Sequence, residues 1–188
     1  MGNIMNSAPI FLISGTPGSG KSSVSRALLA HFEFGLHLPI DDLREFVVSG
    51  IAHPIHPTAE TTRQFRLARA CAVQTAKIYA TAGFAVVIDD VIFPHDAAKL
   101  EQEFLSGFNV HKMMLRPKLE VALFRNASRE NKTFDTAILE PVITDLYANL
   151  KAEEFQNAGW TVLDSSDLSL QTTVRFIFEK WNSENSRA

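Results

Sequence analysis

The amino-acid sequence predicts an α/β domain of three layers, a parallel sheet between helices. Three observations carry that prediction. Strand-like and helix-like patterns alternate from end to end, as parallel strands joined by helical crossovers require. The run Ala85-Val86-Val87-Ile88 is continuously apolar, as a strand buried on both faces must be. A glycine-rich turn of the form G-x-x-x-x-G-K-[ST] joins the first apolar strand to the first helix.

The first strand, 9–14, contains Ile10-Phe11-Leu12-Ile13 and runs into Gly15-Thr16-Pro17-Gly18-Ser19-Gly20-Lys21-Ser22. The glycines let the backbone curl until its N–H groups converge on phosphate oxygens. A helix over 21–33 follows, with Ser23 in its first turn and apolar Val24, Ala27, Leu28 and Leu29. Its N-terminus turns a positive dipole end toward the same point. Lys21 is expected on the β- and γ-phosphates, and the Ser22 hydroxyl on Mg²⁺. Residues 15–23 therefore predict a bound nucleoside triphosphate.

The second strand, 36–41, ends in Ile40-Asp41-Asp42 and leads to a helix over 43–49. Residues 50–58, with Pro54 and Pro57, read as a loop over the sheet's carboxyl edge. A long helix over 59–82, closed by Gly83, carries Arg63, Arg66 and Arg69. The third strand, 85–89, ends in Asp89-Asp90, and a helix over 97–105 follows Phe93-Pro94-His95-Asp96. After a strand at 109–115, Pro117 suits the start of a helix over 119–130. The polar stretch 131–135 is a candidate lid. Pro141 suits the first turn of a helix over 142–156, which Gly159 ends. A strand at 160–163 and a helix over 170–181 complete one domain, 9–182, with flexible ends at 1–8 and 183–188.

Composition bounds the partners. With 188 residues, 46% hydrophobic and 21% charged, the chain can bury a sizeable core. A net charge of −3 and no long basic run argue against a duplex nucleic-acid partner. No apolar run approaches a membrane span, and residues 1–8 lack the regions of a signal peptide. Cys71, the single cysteine, excludes an intrachain disulfide and points to a reducing, cytoplasmic setting. Its Ala-rich surroundings predict a buried structural thiol. His53 and His56, three apart and without a nearby cysteine, do not make a zinc site. His95 could touch an acceptor, but a lone loop histidine is more often solvated.

In an open α/β sheet, ligands sit beyond the carboxyl ends of the strands. That puts Asp41 and Asp42 in the crevice that holds the γ-phosphate. Asp41 is assigned the proton of an attacking hydroxyl, and Asp42 the cap of the next helix. Asp89 follows four apolar residues in the Walker B pattern and is expected to hold Mg²⁺ with Ser22. Asp90, Asp42, Arg44, Arg63 and Arg66 are candidates for the acceptor side. For the arginines of the long helix, a solvated or salt-bridged stripe is the competing reading. Arg125 and Arg129, four apart, share a helix face, with Lys132 just beyond. They could neutralise charge on a transferring phosphoryl group, or simply favour a helix C-terminus.

With these motifs assembled, the chain resembles the P-loop small-molecule kinases of the chloramphenicol phosphotransferase-like group. Gluconate and shikimate kinases are more distant relatives. The resemblance rests on G-T-P-G-S-G-K-S-S (15–23), P-I-D-D-L (39–43), G-F-A-V-V-I-D-D-V (83–91) and V-L-D-S-S-D-L-S (162–169). It implies a five-stranded sheet of order 2-3-1-4-5 and a small lid over 125–136. It further implies Asp41 as general base, Arg125 and Arg129 as lid arginines, and Asp164, Ser165 and Ser166 against the adenine. The activity implied is transfer of the γ-phosphate of ATP, with Mg²⁺, to a hydroxyl of a small molecule. Residues 50–69, where acceptor specificity should reside, carry no match, so the acceptor stays unnamed.

Other readings differ in what they need. A switch GTPase wants N-K-x-D, which Asn131-Lys132-Thr133-Phe134-Asp135 misses by one residue, and a D-x-x-G that does not occur. A nucleoside-monophosphate kinase could use Arg44, Arg63 and Arg66 on an acceptor phosphate. A zeta-toxin-like nucleotide-sugar kinase has the same core. A non-catalytic ATP sensor would have no need of Asp41. A homodimer is left open.

Overall fold

Residues 7–55, 57–128 and 136–185 are described in a computed structural model. Among them, β1 (Ile10–Ser14), β2 (Gly35–Pro39), β3 (Ala85–Asp90), β4 (Val110–Leu115) and β5 (Thr161–Leu163) form one sheet. All neighbours are parallel, in the order β2-β3-β1-β4-β5 expected from the resemblance. The helices are α1 (Lys21–Leu29), α2 (Ile40–Glu45), α3 (Ala59–Thr81), α4 (Pro94–Phe104) and α5 (Leu119–Ala127). After a 3₁₀ turn at Thr136–Leu139 come α6 (Glu140–Asn149), α7 (Ala152–Asn157) and α8 (Leu170–Asn185).

Successive strand residues point to opposite faces, so each central strand feeds two cores. Ile10, Leu12, Val86 and Ile88 pack with Ala68, Ala72, Val73, Ala76 and Ala80 of α3 and with Ala97 of α4. The alanines four apart keep a bare helix face, which brings α3 close to the sheet. Phe11, Ile13, Ala85 and Val87 point the other way, against Val24 and Leu28 of α1 and Val174 and Ile177 of α8. Phe32, Phe178 and Trp181 extend that second core, with Phe32 and Trp181 ring centroids 5.0 Å apart. This alternation continues past the apolar residues, so Asp89 falls on the α1 face of β3 and Asp90 on the α3 face.

Four expectations are corrected. The second strand stops at Pro39 and the chain enters α2 directly, so Asp41 lies in a helical first turn rather than at a strand end. Asp42 is likewise in that turn and is not the cap; the cap position is Pro39, with no side-chain hydrogen bond. Both carboxylates still favour the positive end of the helix dipole. The helix expected over 142–156 is two helices, broken at Leu150, which is fully buried and whose carbonyl accepts from Arg116 Nε at 3.1 Å. No glycine or proline marks that break; burying both Leu150 and Phe155 imposes it. Cys71 is exposed, because position 71 of α3 turns away from the alanine face.

Candidate functional site

The phosphate loop is shaped by its contacts as much as by its glycines. Gly18 has φ +81°, and a Cβ there would collide with the backbone of Ala122 on α5. Gly20 caps α1 with φ +96°. Lys21 Nζ lies across the loop and donates to the carbonyls of Gly15 at 2.8 Å and Thr16 at 3.1 Å. Ser19 Oγ is buried with no hydrogen-bond partner. A hydroxyl donor left over within a curled backbone at a helix N-terminus fits an anion's oxygen. Ser14 ties the end of β1 to the chain beyond β3, its Oγ donating to Ile92 O at 2.8 Å.

Asp89 joins this loop from the α1 face of β3. His37 Nε2 lies 2.5 Å from its Oδ2, and the Ser22 hydroxyl and the Lys21 charge are close by. Burial pushes its carboxyl up, but His37, Lys21 and Ser22 together outweigh burial and hold it below the usual carboxylate range. Two oxygen ligands, Ser22 and Asp89, beside a phosphate cradle suit a hard divalent cation such as Mg²⁺.

The lowered carboxyl makes a pH prediction. A group whose folded pKa is depressed stabilises the fold above its unfolded value, about 3.9 for Asp, and loses that contribution as pH falls through the folded value. Denaturant titrations from pH 5 downward should therefore show stability falling below about pH 3.9, and Asp89→Asn should flatten that acid limb. Identical limbs in both proteins would contradict the assignment.

Asp90, on the other face, is held differently. Its Oδ2 accepts from Arg69 Nε at 2.5 Å and its Oδ1 from the Val91 amide at 2.7 Å. Arg69 also donates to Val91 O at 3.1 Å, so the salt-bridged reading holds for this arginine of α3. Burial nonetheless pushes the Asp90 carboxyl up, despite Arg69, and the nearby charge of Asp41 adds to that rise. Asp41 is thus the member of the Asp41-Asp42 pair whose charge is felt at the end of β3.

The expected acceptor arginines are largely engaged. Arg44 is buried, donates to Ala52 O and lies 4.0 Å over the Phe65 ring. With Gln64, which accepts from Ala52 N at 2.9 Å and donates to Gly50 O at 2.8 Å, it fastens the loop after α2 onto α3. Arg63 pairs with Glu60 at 2.8 Å on the exposed surface, and Arg66 is exposed. His95 is exposed beside Asp96, 3.5 Å away. Arg125 reaches the loop of Asp164, Ser165 and Ser166, donating to Ser165 O at 3.0 Å and Ser166 O at 3.3 Å. Asp164 in turn accepts from the Ser166 amide at 2.9 Å, and Ser166 Oγ accepts from Lys118 N at 2.7 Å. Arg129, Lys132 and most of the expected lid lie outside the described residues, as does His56.

Sequence reasoning missed His37, the Arg44–Gln64 bracket and Arg116. Arg116 joins the end of β4 to α6 through Tyr147 Oη at 2.9 Å. Each pairs residues distant along the chain, and a lone His or Gln carries no motif. Strand alternation held the one available signal for His37, a polar residue set between Leu36 and Leu38.

Similarity to known proteins follows the same geometry. The family model described as chloramphenicol phosphotransferase-like protein matches residues 8–145. No curated protein sequence matches the chain significantly. Among solved structures, the tunicamycin resistance protein of Deinococcus radiodurans is 20% identical over 92% of this chain and 95% of its own, with a TM-score of 0.62. A gluconokinase from Sinorhizobium meliloti 1021 is 15% identical over 97% and 95%, TM-score 0.66. Shikimate kinase from Acinetobacter baumannii, solved with shikimate, is 16% identical over 96% of each chain, TM-score 0.62. The family match spans the phosphate loop, the Asp41-Asp42 turn and the Asp89-Asp90 strand end together, and the chain belongs to the chloramphenicol phosphotransferase-like family, a family of kinase-like P-loop phosphotransferases.

Proposed function

We propose that the protein transfers the γ-phosphoryl group of ATP to a hydroxyl of a small molecule, with Asp41 as general base. The supporting observation is a division of labour at the carboxyl end of the sheet. Lys21, Ser22 and Asp89 gather on the α1 face, while Asp41 stands near Asp90 on the acceptor side. Lys21 exchanges its bonds to Gly15 O and Thr16 O for phosphate oxygens and meets the charge of the transferring group. Ser22 and Asp89 would hold Mg²⁺, which would supply positive charge to offset that of the phosphates. Asp41 orients the acceptor O–H and takes its proton as the oxygen–phosphorus bond forms. Arg125 closes on the phosphates by releasing the carbonyls of Ser165 and Ser166, joined by Arg129. The loop of Asp164 to Ser166 packs against the base.

The acceptor is read as a non-phosphorylated hydroxyl compound rather than a nucleoside monophosphate. A monophosphate would need free guanidinium groups, and Arg44 and Arg63 already have partners, leaving Arg66. The domain acts as one unit over 9–182, in the cytoplasm. The test is a phosphate-transfer screen over antibiotics, sugars, nucleosides and monophosphates, with ATP and GTP as donors. Transfer to a non-phosphorylated alcohol is expected, and turnover confined to monophosphates would overturn the reading.

A further inference from the structure

Residues 85, 87 and 89 of β3 share the α1 face, and His37 on the edge strand β2 sits opposite Val87 in the register. A side chain there reaches diagonally toward position 89, and His37 Nε2 lies 2.5 Å from Asp89 Oδ2. The two side chains are only 12% and 7% exposed. A carboxylate oxygen accepts, so in this contact the imidazole Nε2–H is the donor.

We propose that His37 is a positioning residue for the phosphate end of the site: its Nε2–H fixes the rotation of the Asp89 carboxylate and occupies Oδ2, leaving the other oxygen to Ser22 and Mg²⁺. The assignment rests on the reading that Asp89 and Ser22 hold that ion. The terminal torsion of a carboxylate is broad and nearly two-fold, so strand geometry alone does not orient it. A donor at fixed distance does. The imidazole is short, flat and rooted in a strand, so it holds one position where a lysine would sample many. β2 is also the outermost strand on this side. Without the ring, water from the open edge would reach Asp89 and compete for its oxygens. Partners that orient a metal-ligating group typically contribute roughly 10- to 100-fold to metal affinity.

The experiment measures ATP binding by calorimetry with and without Mg²⁺, for the wild type, His37→Leu and His37→Gln. His37→Leu keeps the bulk and removes the donor, while a glutamine amide reaches about as far as Nε2. His37→Leu should reduce the Mg²⁺-dependent gain in ATP affinity roughly 10- to 100-fold, with metal-free ATP affinity unchanged. His37→Gln should recover most of that gain. If His37→Leu does not fold, His37→Asn, polar but too short to reach Oδ2, is held to the same outcome. A wild-type gain preserved in the donor-less variant overturns the assignment alone. So does an equal loss of metal-free ATP affinity, which would make His37 a structural strut. A wild type whose ATP affinity ignores Mg²⁺ overturns the metal role of Asp89 and Ser22, and this assignment with it.

Discussion

Asp41→Asn should lower turnover by about 10²- to 10⁴-fold, the range that general-base catalysis contributes, and leave ATP affinity nearly intact. The substitution keeps the shape of the side chain and its place in the first turn of α2. It removes the capacity to take a proton and the negative charge that orients the acceptor O–H. ATP should bind as before, because the contacts of Lys21 within the phosphate loop and of Asp89 with His37 do not involve Asp41. An interaction made with the reacting hydroxyl in the transition state shows as equal losses in kcat and kcat/KM. Steady-state transfer kinetics beside calorimetric ATP titration would show this pattern. Full activity in the variant would mean that Asp41 is not the base. In phosphoryl transfer the transition state is loose and its oxygens carry the charge, so much of the loss would reflect misorientation rather than proton removal.

Lys21→Ala should have a broader effect, weakening ATP binding and lowering transfer by about 10²- to 10³-fold, as loss of one preorganised cationic donor does. Lys21 is 9% exposed, and its charge acts in a site that excludes most water. The variant also loses the two bonds that fasten Nζ to Gly15 O and Thr16 O, so the loop itself should loosen. Lys21→Met, which fills the same space without the charge, separates these effects. Thermal melts without nucleotide report the loop, while calorimetry and turnover report the charge. If ATP binding is unchanged in both variants, the phosphate loop does not bind the nucleotide as assigned.

Much of this was legible along the chain because the local determinants are strong. The phosphate loop needs glycine where φ is positive and where Ala122 approaches, so its residue types appear as a motif. A strand buried on both faces must be apolar, which made β3 readable. Other elements were not legible. The start of α2 shifted because the chain goes from strand to helix across Pro39 without a polar cap. The break at Leu150 answers a demand from the core. Cys71 sits in an alanine-rich run, but only helix phase against the sheet decides which positions are buried.

By itself the sequence determined a parallel α/β fold with a phosphate loop after its first strand, and it marked Asp41, Asp42, Asp89 and Asp90 as the acids of the candidate site. The tertiary structure decided which partners the last two meet. Strand alternation turned Asp89 toward Lys21, Ser22 and His37, and turned Asp90 toward Arg69. It also gave Arg44 to the loop at Ala52 and Arg125 to the loop at Ser165. The physical reason is one of range. Backbone conformation and hydrophobic periodicity are set by neighbours a few residues apart, whereas a buried charge takes its partner from whatever the packing brings beside it, here 21 residues away for Asp90 and 52 for Asp89.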